Sequence, residues 1–421
     1  MTLKGNFGQA GDYRFRLIDV AQEAAAATVG TTMSGSVSAT ETEFFQFHGA
    51  AGQLLYHDNL GSSNPGFDVN ARIVTPSGVI IPRARTASDS DGGLPPLLLT
   101  ETGTFTLVAE NTGAMTRDYN LRLVDLTAAP LTTLSSLVQD MLDPRLQADA
   151  FRYNLVGGSE VYIDASQVFL DLFDIEWQLF GPARLPFDGN NTFKRGDATF
   201  TVPSDGAYYL VVRSSAVGNP QDYGIRLLTV ASNSTQVAFG GLLDGTLIQP
   251  GERHEFTFNA LSGQRIYLDD LAGTGSAVTP RLITPSGAVP NISFGPFSNR
   301  PVTLLENGTY RLVFGGSDSL GDYRYQLNSL DAAPLVFLND ALTLTLDPVR
   351  QDQVFVLVGA EPGLQIYFYT QTGDKATFSL YDPTDYWSRP AKWENEGDTA
   401  LCCRSCSLRI RNRHSTANRS Y

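Results

Sequence analysis

A tyrosine returns in one setting about once every hundred residues. It stands in Gly11-Asp12-Tyr13-Arg14-Phe15-Arg16-Leu17, Arg117-Asp118-Tyr119-Asn120-Leu121-Arg122-Leu123, Gln221-Asp222-Tyr223-Gly224-Ile225-Arg226-Leu227 and Gly321-Asp322-Tyr323-Arg324-Tyr325-Gln326-Leu327. The spacings are 106, 104 and 100 residues, and Tyr421 lies 98 beyond the last. A fixed period of this size makes the chain a tandem array, so it must be built from one domain type used several times. Other landmarks keep the same period. A second tyrosine follows a glycine turn at Tyr56, Tyr162, Tyr267 and Tyr367; a proline turn follows at Pro76, Pro182, Pro285 and Pro383; and Gly103, Gly206 and Gly308 each open an apolar strand.

With 421 residues, the array divides into units of about 100, the usual size of one domain. The net charge of −14 argues against a nucleic-acid binder, which needs clustered Lys and Arg to neutralise phosphates. No run approaches the ~18 apolar residues of a membrane helix, and Met1 to Asn6 lacks the apolar centre of a secretory signal. Because the first residues read as the tail of a repeat, the expectation is that the natural start lies upstream. Residues 1–401 hold no cysteine, while Cys402, Cys403 and Cys406 crowd together, so the repeats use no disulfides.

Within a unit, apolar residues alternate over short runs (Tyr13, Phe15, Leu17; Phe105, Leu107, Ala109), with Gly and Pro turn signals every eight to twelve residues. Period two with that punctuation predicts an all-β sandwich. Only Ala21–Thr28 and Leu134–Leu142 read as short helix candidates. Units meet at Leu126-Thr127-Ala128-Ala129-Pro130-Leu131 and Leu330-Asp331-Ala332-Ala333-Pro334-Leu335, joints with little Gly or Ser, so neighbouring units are expected to abut stiffly. The division is residues 1–20 as the final strand of a preceding repeat, then repeats at 21–126, 127–230, 231–330 and 331–421. The last of these is incomplete and carries an atypical segment at 385–406.

One unit reads Gln249-Pro250-Gly251, then Phe256-Thr257-Phe258, Gly263-Gln264-Arg265-Ile266-Tyr267, Pro285-Ser286-Gly287, Gly308-Thr309-Tyr310-Arg311-Leu312-Val313 and Asp322-Tyr323. This order resembles the bacterial pre-peptidase C-terminal domain, a jelly-roll-like sandwich appended to secreted proteases and repeated in bacterial surface proteins. The resemblance covers nearly the whole chain through turn and core residues. It implies export to the cell surface or medium, rigidity aided by calcium, and binding or spacing in place of chemistry.

The chain carries no Gly-x-Ser-x-Gly elbow, no His-Glu-x-x-His and no phosphate-binding loop. His48, His57, His254 and His414 do not recur between units. His57 aligns with Ile163, Leu268 and Phe368, an apolar strand slot; His254 aligns with Thr42, Asp149 and Gln353, which reads as a solvated position. Two aspartate sets recur: Asp12, Asp118, Asp222 and Asp322, and Asp58, Asp164 and Asp269. With the acidic loop Ser88–Gly93 they could supply oxygen ligands to calcium; the plainer reading is turn capping through backbone hydrogen bonds. The recurring tyrosines read as core, each hydroxyl bonded to a turn. Cys402, Cys403, Cys406 and His414 imitate a zinc site without its paired spacing. Instead, 385–406 reads as a stretch translated out of frame, since Ser407–Asn412 resumes the repeat. No catalytic, cofactor or metal residue is assigned.

The expected function is that of a non-catalytic spacer, adhesion or binding module in a fragment of a larger exported protein, with extracellular protein or polysaccharide as partner. The alternative is an accessory region of a secreted peptidase whose catalytic domain lies outside this chain. An unpaired strand at 12–20 suggests strand-swapped self-association.

Overall fold

The computed structural model describes residues 16–61, 69–85, 95–143, 147–165, 175–182, 194–214, 220–230, 232–271, 278–290, 292, 294, 301–317, 319–343 and six strands between 353 and 412. They form two compact units, Met1–Leu228 and Thr229–Tyr421, and each unit contains two sandwiches. The array is all-β. Among the described residues no helix is long and apolar enough to cross a membrane.

Sandwich 1 comprises β1 (Ala25–Ala26), β2 (Thr32–Val37), β3 (Thr42–Gly49), β4 (Leu54–Asn59), β5 (Val69–Val74), β6 (Ile80–Arg85), β7 (Leu97–Leu98), β8 (Gly103–Asn111) and β9 (Arg117–Asp125). One sheet runs β2-β9-β4-β7 and the other β1-β3-β8-β5-β6. Counting β2 as the first of eight strands, the orders are 1-8-3-6 and 2-7-4-5, the interleaving of a jelly roll. The extra strand, β1, pairs in parallel with β3.

Sandwich 2 holds β10 (Val138–Leu142), β11 (Asp149–Leu155), β12 (Glu160–Asp164), β13 (Ile175–Phe180), β14 (Ala198–Thr201), β15 (Gly206–Ser214) and β16 (Gln221–Thr229). Its sheets are β10-β16-β12-β14 and β11-β15-β13. Sandwich 3 holds β17 (Ser232–Gln236), β18 (Leu242–Leu247), β19 (Arg253–Ala260), β20 (Arg265–Asp270), β21 (Arg281–Ile283), β22 (Val302–Thr303), β23 (Gly308–Gly315) and β24 (Gly321–Ser329), in sheets β17-β19-β23-β21 and β18-β24-β20-β22.

In the fourth repeat the described strands are β25 (Leu335–Phe337), β26 (Gln353–Val358), β27 (Leu364–Phe368), β28 (Ala376–Tyr381), β29 (Ala391–Trp393), β30 (Thr399–Cys403) and β31 (Ser407–Asn412). β31 lies between β26 and β28, as β8 lies between β3 and β5. β30 pairs with β27, as β7 pairs with β4. The atypical stretch 385–406 therefore contributes β29 and β30. Cys406, His414 and Tyr421 lie outside the described residues, as do residues 1–15 and the loop Ser88–Gly93.

Alternation explains the cores. Along β5, Val69, Ala71 and Ile73 are buried while Asn70, Arg72 and Val74 are half-buried on the outer face. Each fully buried aliphatic or aromatic side chain contributes about 1.5–3 kcal/mol. The proline and glycine landmarks are one device: a Cβ at Gly103 would lie 2.9 Å from the Pro76 ring, and one at Gly206 2.6 Å from Pro182, so the strand opens on glycine because the proline packs there. Both helix candidates are corrected. The first forms only one turn, Val20–Glu23, capped by Asp19. The second contains β10, because Val138–Leu142 pairs along β16 and the sheet overrides the local period.

Candidate functional site

β4 departs from alternation, since Leu54, Leu55, Tyr56, His57 and Asp58 are all buried. Leu55 belongs to the core of sandwich 1. Leu54 and Tyr56 face the other way, into a second apolar cluster with Leu126, Ala148, Phe180 and Val211, the last three from sandwich 2. Tyr56 lies against Phe180 with ring centroids 6.4 Å apart. One sheet of sandwich 1 thus packs its outer face on an outer face of sandwich 2, and the joint has a core of its own.

Asp58, fully buried at this contact, is its polar centre. Its carboxylate accepts from Arg122 Nε at 2.6 Å and from the Ala148 backbone N–H at 3.1 and 3.2 Å. Arg122 donates a second hydrogen bond, 2.7 Å, to the Ala148 carbonyl. Both backbone groups of one residue in sandwich 2 are therefore held by an ion pair belonging to sandwich 1. A buried pair of this kind is costly to break, because the remaining charge stays desolvated.

The joint segment is shaped by Asp125, which accepts from Thr127 N at 2.9 Å and caps a 3-10 turn at Leu126–Ala128, while Gln53 Nε2 donates to its other oxygen at 2.8 Å. A similar turn, Leu330–Ala332, follows β24, with Leu330 buried. The outward residues Tyr162, Asp164, Tyr267 and Asp269 are also buried. Asp164 accepts from Arg226 Nε at 2.7 Å, the counterpart of the Asp58–Arg122 pair, and Tyr162 donates to Asp197 at 2.7 Å. The second aspartate set thus consists of buried residues on outer sheet faces, and for Asp58 and Asp164 turn capping is replaced by ion pairing.

The tyrosines of the Asp-Tyr strands are core, buried at 3%, 3% and 1% exposure for Tyr119, Tyr223 and Tyr323. Their hydroxyls do not bond turns. Tyr119 donates to Glu43, Tyr223 donates to Asp149 at 2.9 Å, and Tyr323 lies 2.6 Å from His254 Nδ1, each partner standing on a strand of the opposite sheet. Burial and the adjacent Glu43 carboxylate push the Tyr119 phenol well above its ordinary range. The expected turn bond is made instead by Tyr208 and Tyr310, which donate to the Ser204 and Glu306 carbonyls at 2.9 Å.

Strand register corrects the alignment of His254. Phe47 pairs with Phe105 and Phe258 with Tyr310, so the counterpart of His254 is Glu43, four residues before Phe47, rather than Thr42. His254 is half-buried between Tyr323 and Glu252, at 3.2 Å from Glu252, and not a solvated side chain. His57 is buried in a strand, while His48 is exposed. Among the first aspartate set, Asp322 accepts from Thr246 Oγ1 at 2.5 Å. Among the described residues no three His, Cys, Asp or Glu side chains gather as a metal site. The joint residues Gln53, Leu54, Arg122, Asp125 and Ala148 escaped sequence reasoning. Their signal was a comparison between units: Arg122 and Arg226 recur where Gln326 stands in the third, and Gln53 and Gln264 stand where the second has Ser159.

No protein-family model matches the chain, and no curated protein matches it. Among solved structures it is similar to the Aeromonas hydrophila periplasmic inhibitor of g-type lysozyme, at 14% identity and TM-score 0.21, covering 23% of this chain and 96% of that one. It is also similar to the CUB1-EGF-CUB2 region of human MASP-1/3, at 9% identity and TM-score 0.17, covering 47% and 99%. A third likeness is Lac15 from a marine microbial metagenome, at 7% identity and TM-score 0.15, covering 73% and 88%. Likenesses this distant assign neither family nor activity.

Proposed function

We propose that the chain is a non-catalytic spacer: a tandem β-sandwich array of a larger exported bacterial protein that holds binding or adhesive surfaces at a distance, with extracellular protein or polysaccharide as partner. The observation that supports this reading is the joint between sandwiches 1 and 2. A spacer works when successive domains keep a fixed orientation, and the Asp58–Arg122–Ala148 contact together with the Tyr56–Phe180 packing supplies that restraint. Repetition then presents equivalent surfaces several times, so weak contacts add as avidity.

The test uses the full chain with Cys402, Cys403 and Cys406 changed to Ser and spin labels at the exposed positions Thr104→Cys and Asn154→Cys. Electron–electron distance measurement is expected to give one narrow distribution that broadens on Asp58→Ala. A broad distribution in the otherwise unaltered chain overturns the spacer reading.

A further inference from the structure

Sandwich 3 carries an open cleft of about 470 Å³, lined by Gln236, Val237, Ala238, Phe239, Phe258 and Asn259. That volume lies in the range of small-ligand sites, and no charged side chain lines it. Phe239 is half-buried, its ring centroid 5.8 Å from that of Phe258, which in turn stacks on Tyr310 at 5.6 Å. The core thus fixes the Phe239 ring from behind, and its remaining surface lines the cleft. Gln236 and Asn259 are exposed beside it. The Gln236 carboxamide makes no hydrogen bond among the described residues, and Asn259 is engaged only through Oδ1, which accepts from Thr309 Oγ1 at 2.7 Å.

The combination is particular to this repeat. The N–H groups of Gly30, Ser135 and Gly240 donate to the Leu123, Leu227 and Leu327 carbonyls, which aligns Val29 and Leu134 with Phe239. Those of Ala27, Thr132 and Val237 donate to the Gln46, Arg152 and Thr257 carbonyls, which aligns Ala26 and Leu131 with Gln236. The strand pairs Phe47–Phe105, Tyr153–Tyr208 and Phe258–Tyr310 align His48 and Asn154 with Asn259. Of these three sandwiches, only the third joins an aromatic ring to two carboxamides. We infer that this cleft is a glycan subsite that takes one neutral hexopyranose of a polysaccharide chain; the inference rests on the polysaccharide partner named above. An aromatic surface covers the apolar C–H side of a pyranose ring, and a carboxamide offers a donor and an acceptor to neighbouring hydroxyls. A lining without cations suits a neutral sugar over a uronate or a sulfated one, whose charge would go unpaired. Because the core already fixes Phe239, little ordering entropy opposes the contact.

The experiment is saturation-transfer NMR and calorimetric titration of the full chain with cellohexaose, maltohexaose and mannohexaose, and with hexagalacturonate as the charged control. At least one neutral probe is expected to bind, with saturation strongest on the ring C–H protons, and the uronate is expected not to bind. Phe239→Val, which installs the residue type of sandwich 1, should weaken binding about tenfold, and Gln236→Ala about fivefold. Gln236 is exposed, so its variant reads the site even where Phe239→Val disturbs the core. Asn154→Ala, at the equivalent position in sandwich 2, should leave the affinity unchanged. Binding by none of the neutral probes, equal binding of the uronate, or binding that both cleft variants leave intact overturns the inference. The spacer reading stands or falls separately, on the spin-label distances.

Discussion

The segments leading into the second and third sandwiches end at equivalent positions and begin differently. Thr132 N donates to Arg152 O, and Val237 N donates to Thr257 O, each at 2.8 Å, which aligns Pro130 with Thr235 two residues upstream. Before Thr235 the chain runs as β17 and pairs in parallel with β19 over five residues. At Pro130 the pairing shrinks to one bridge, Leu131 with Arg152. Proline has no N–H to give a ladder, and a capped 3-10 turn takes up the preceding residues. The edge of β11 is covered instead by sandwich 1, whose Asp58 accepts the Ala148 N–H. Pro334 recurs in the fourth repeat, accepting from Val356 N at 3.0 Å, and there β25 still pairs in parallel with β26 over three residues, so the proline alone does not abolish the lead-in strand.

The largest effect that would break this contrast is Tyr56→Ala, which opens a cavity against Phe180 and should cost about 3–5 kcal/mol in chemical denaturation. Tyr162→Phe, which removes the bond to Asp197, should cost about 1 kcal/mol. Asp58→Ala leaves Arg122 and the Ala148 N–H without their shared acceptor, and about 3 kcal/mol is expected. A smaller, reciprocal test exchanges the lead-in residues. Thr235→Pro removes a ladder donor and should cost roughly 1–3 kcal/mol, with amide exchange accelerated along β17. Pro130→Thr should change stability by less than about 0.5 kcal/mol, because Asp58 already occupies the edge. An equal response at both sites would show that the two lead-ins are not distinct.

Capping separates the joints more finely. Asp125→Ala should cost about 1 kcal/mol, whereas Ser329→Ala should cost less, since Ser329 makes no side-chain cap bond to its turn. The smallest effect is a pH dependence shared by sandwiches 1 and 3. Ser77 donates to Glu101 through its hydroxyl at 2.6 Å and its N–H at 3.0 Å, and Ser286 holds Glu306 in the same way. These hydroxyl bonds lower both carboxyl pKa values. The stability they contribute is present above the unfolded pKa and is lost as pH falls through the folded value. Glu101→Gln should therefore flatten the acid limb of a pH–stability curve, and an unchanged limb would remove that bond from the account.

The all-β class was legible in the sequence because it depends on local facts. Alternation along Phe105, Leu107 and Ala109 and the punctuation at Pro76 and Gly103 survive as strand and turn in every sandwich where they are described. The joint was less legible. Leu54, Tyr56 and Asp58 alternate like any outward-facing set, and alternation does not say whether the outer face meets water or a neighbouring sheet. His254 was misread because a one-residue shift between repeats moves a side chain to the opposite face.

The sequence alone determined the repeat, its period, the strand class and the positions of the turns, since each rests on the conformational preferences of a few neighbouring residues. Tertiary structure decided which faces are dry, that the recurring tyrosines bond across the sandwich to Glu43, Asp149 and His254, and that Asp58 clamps the following domain. Those outcomes join residues from 69 to 90 positions apart. Only the packed sheets bring such residues together, and only burial there gives a hydroxyl or a carboxylate its energetic weight.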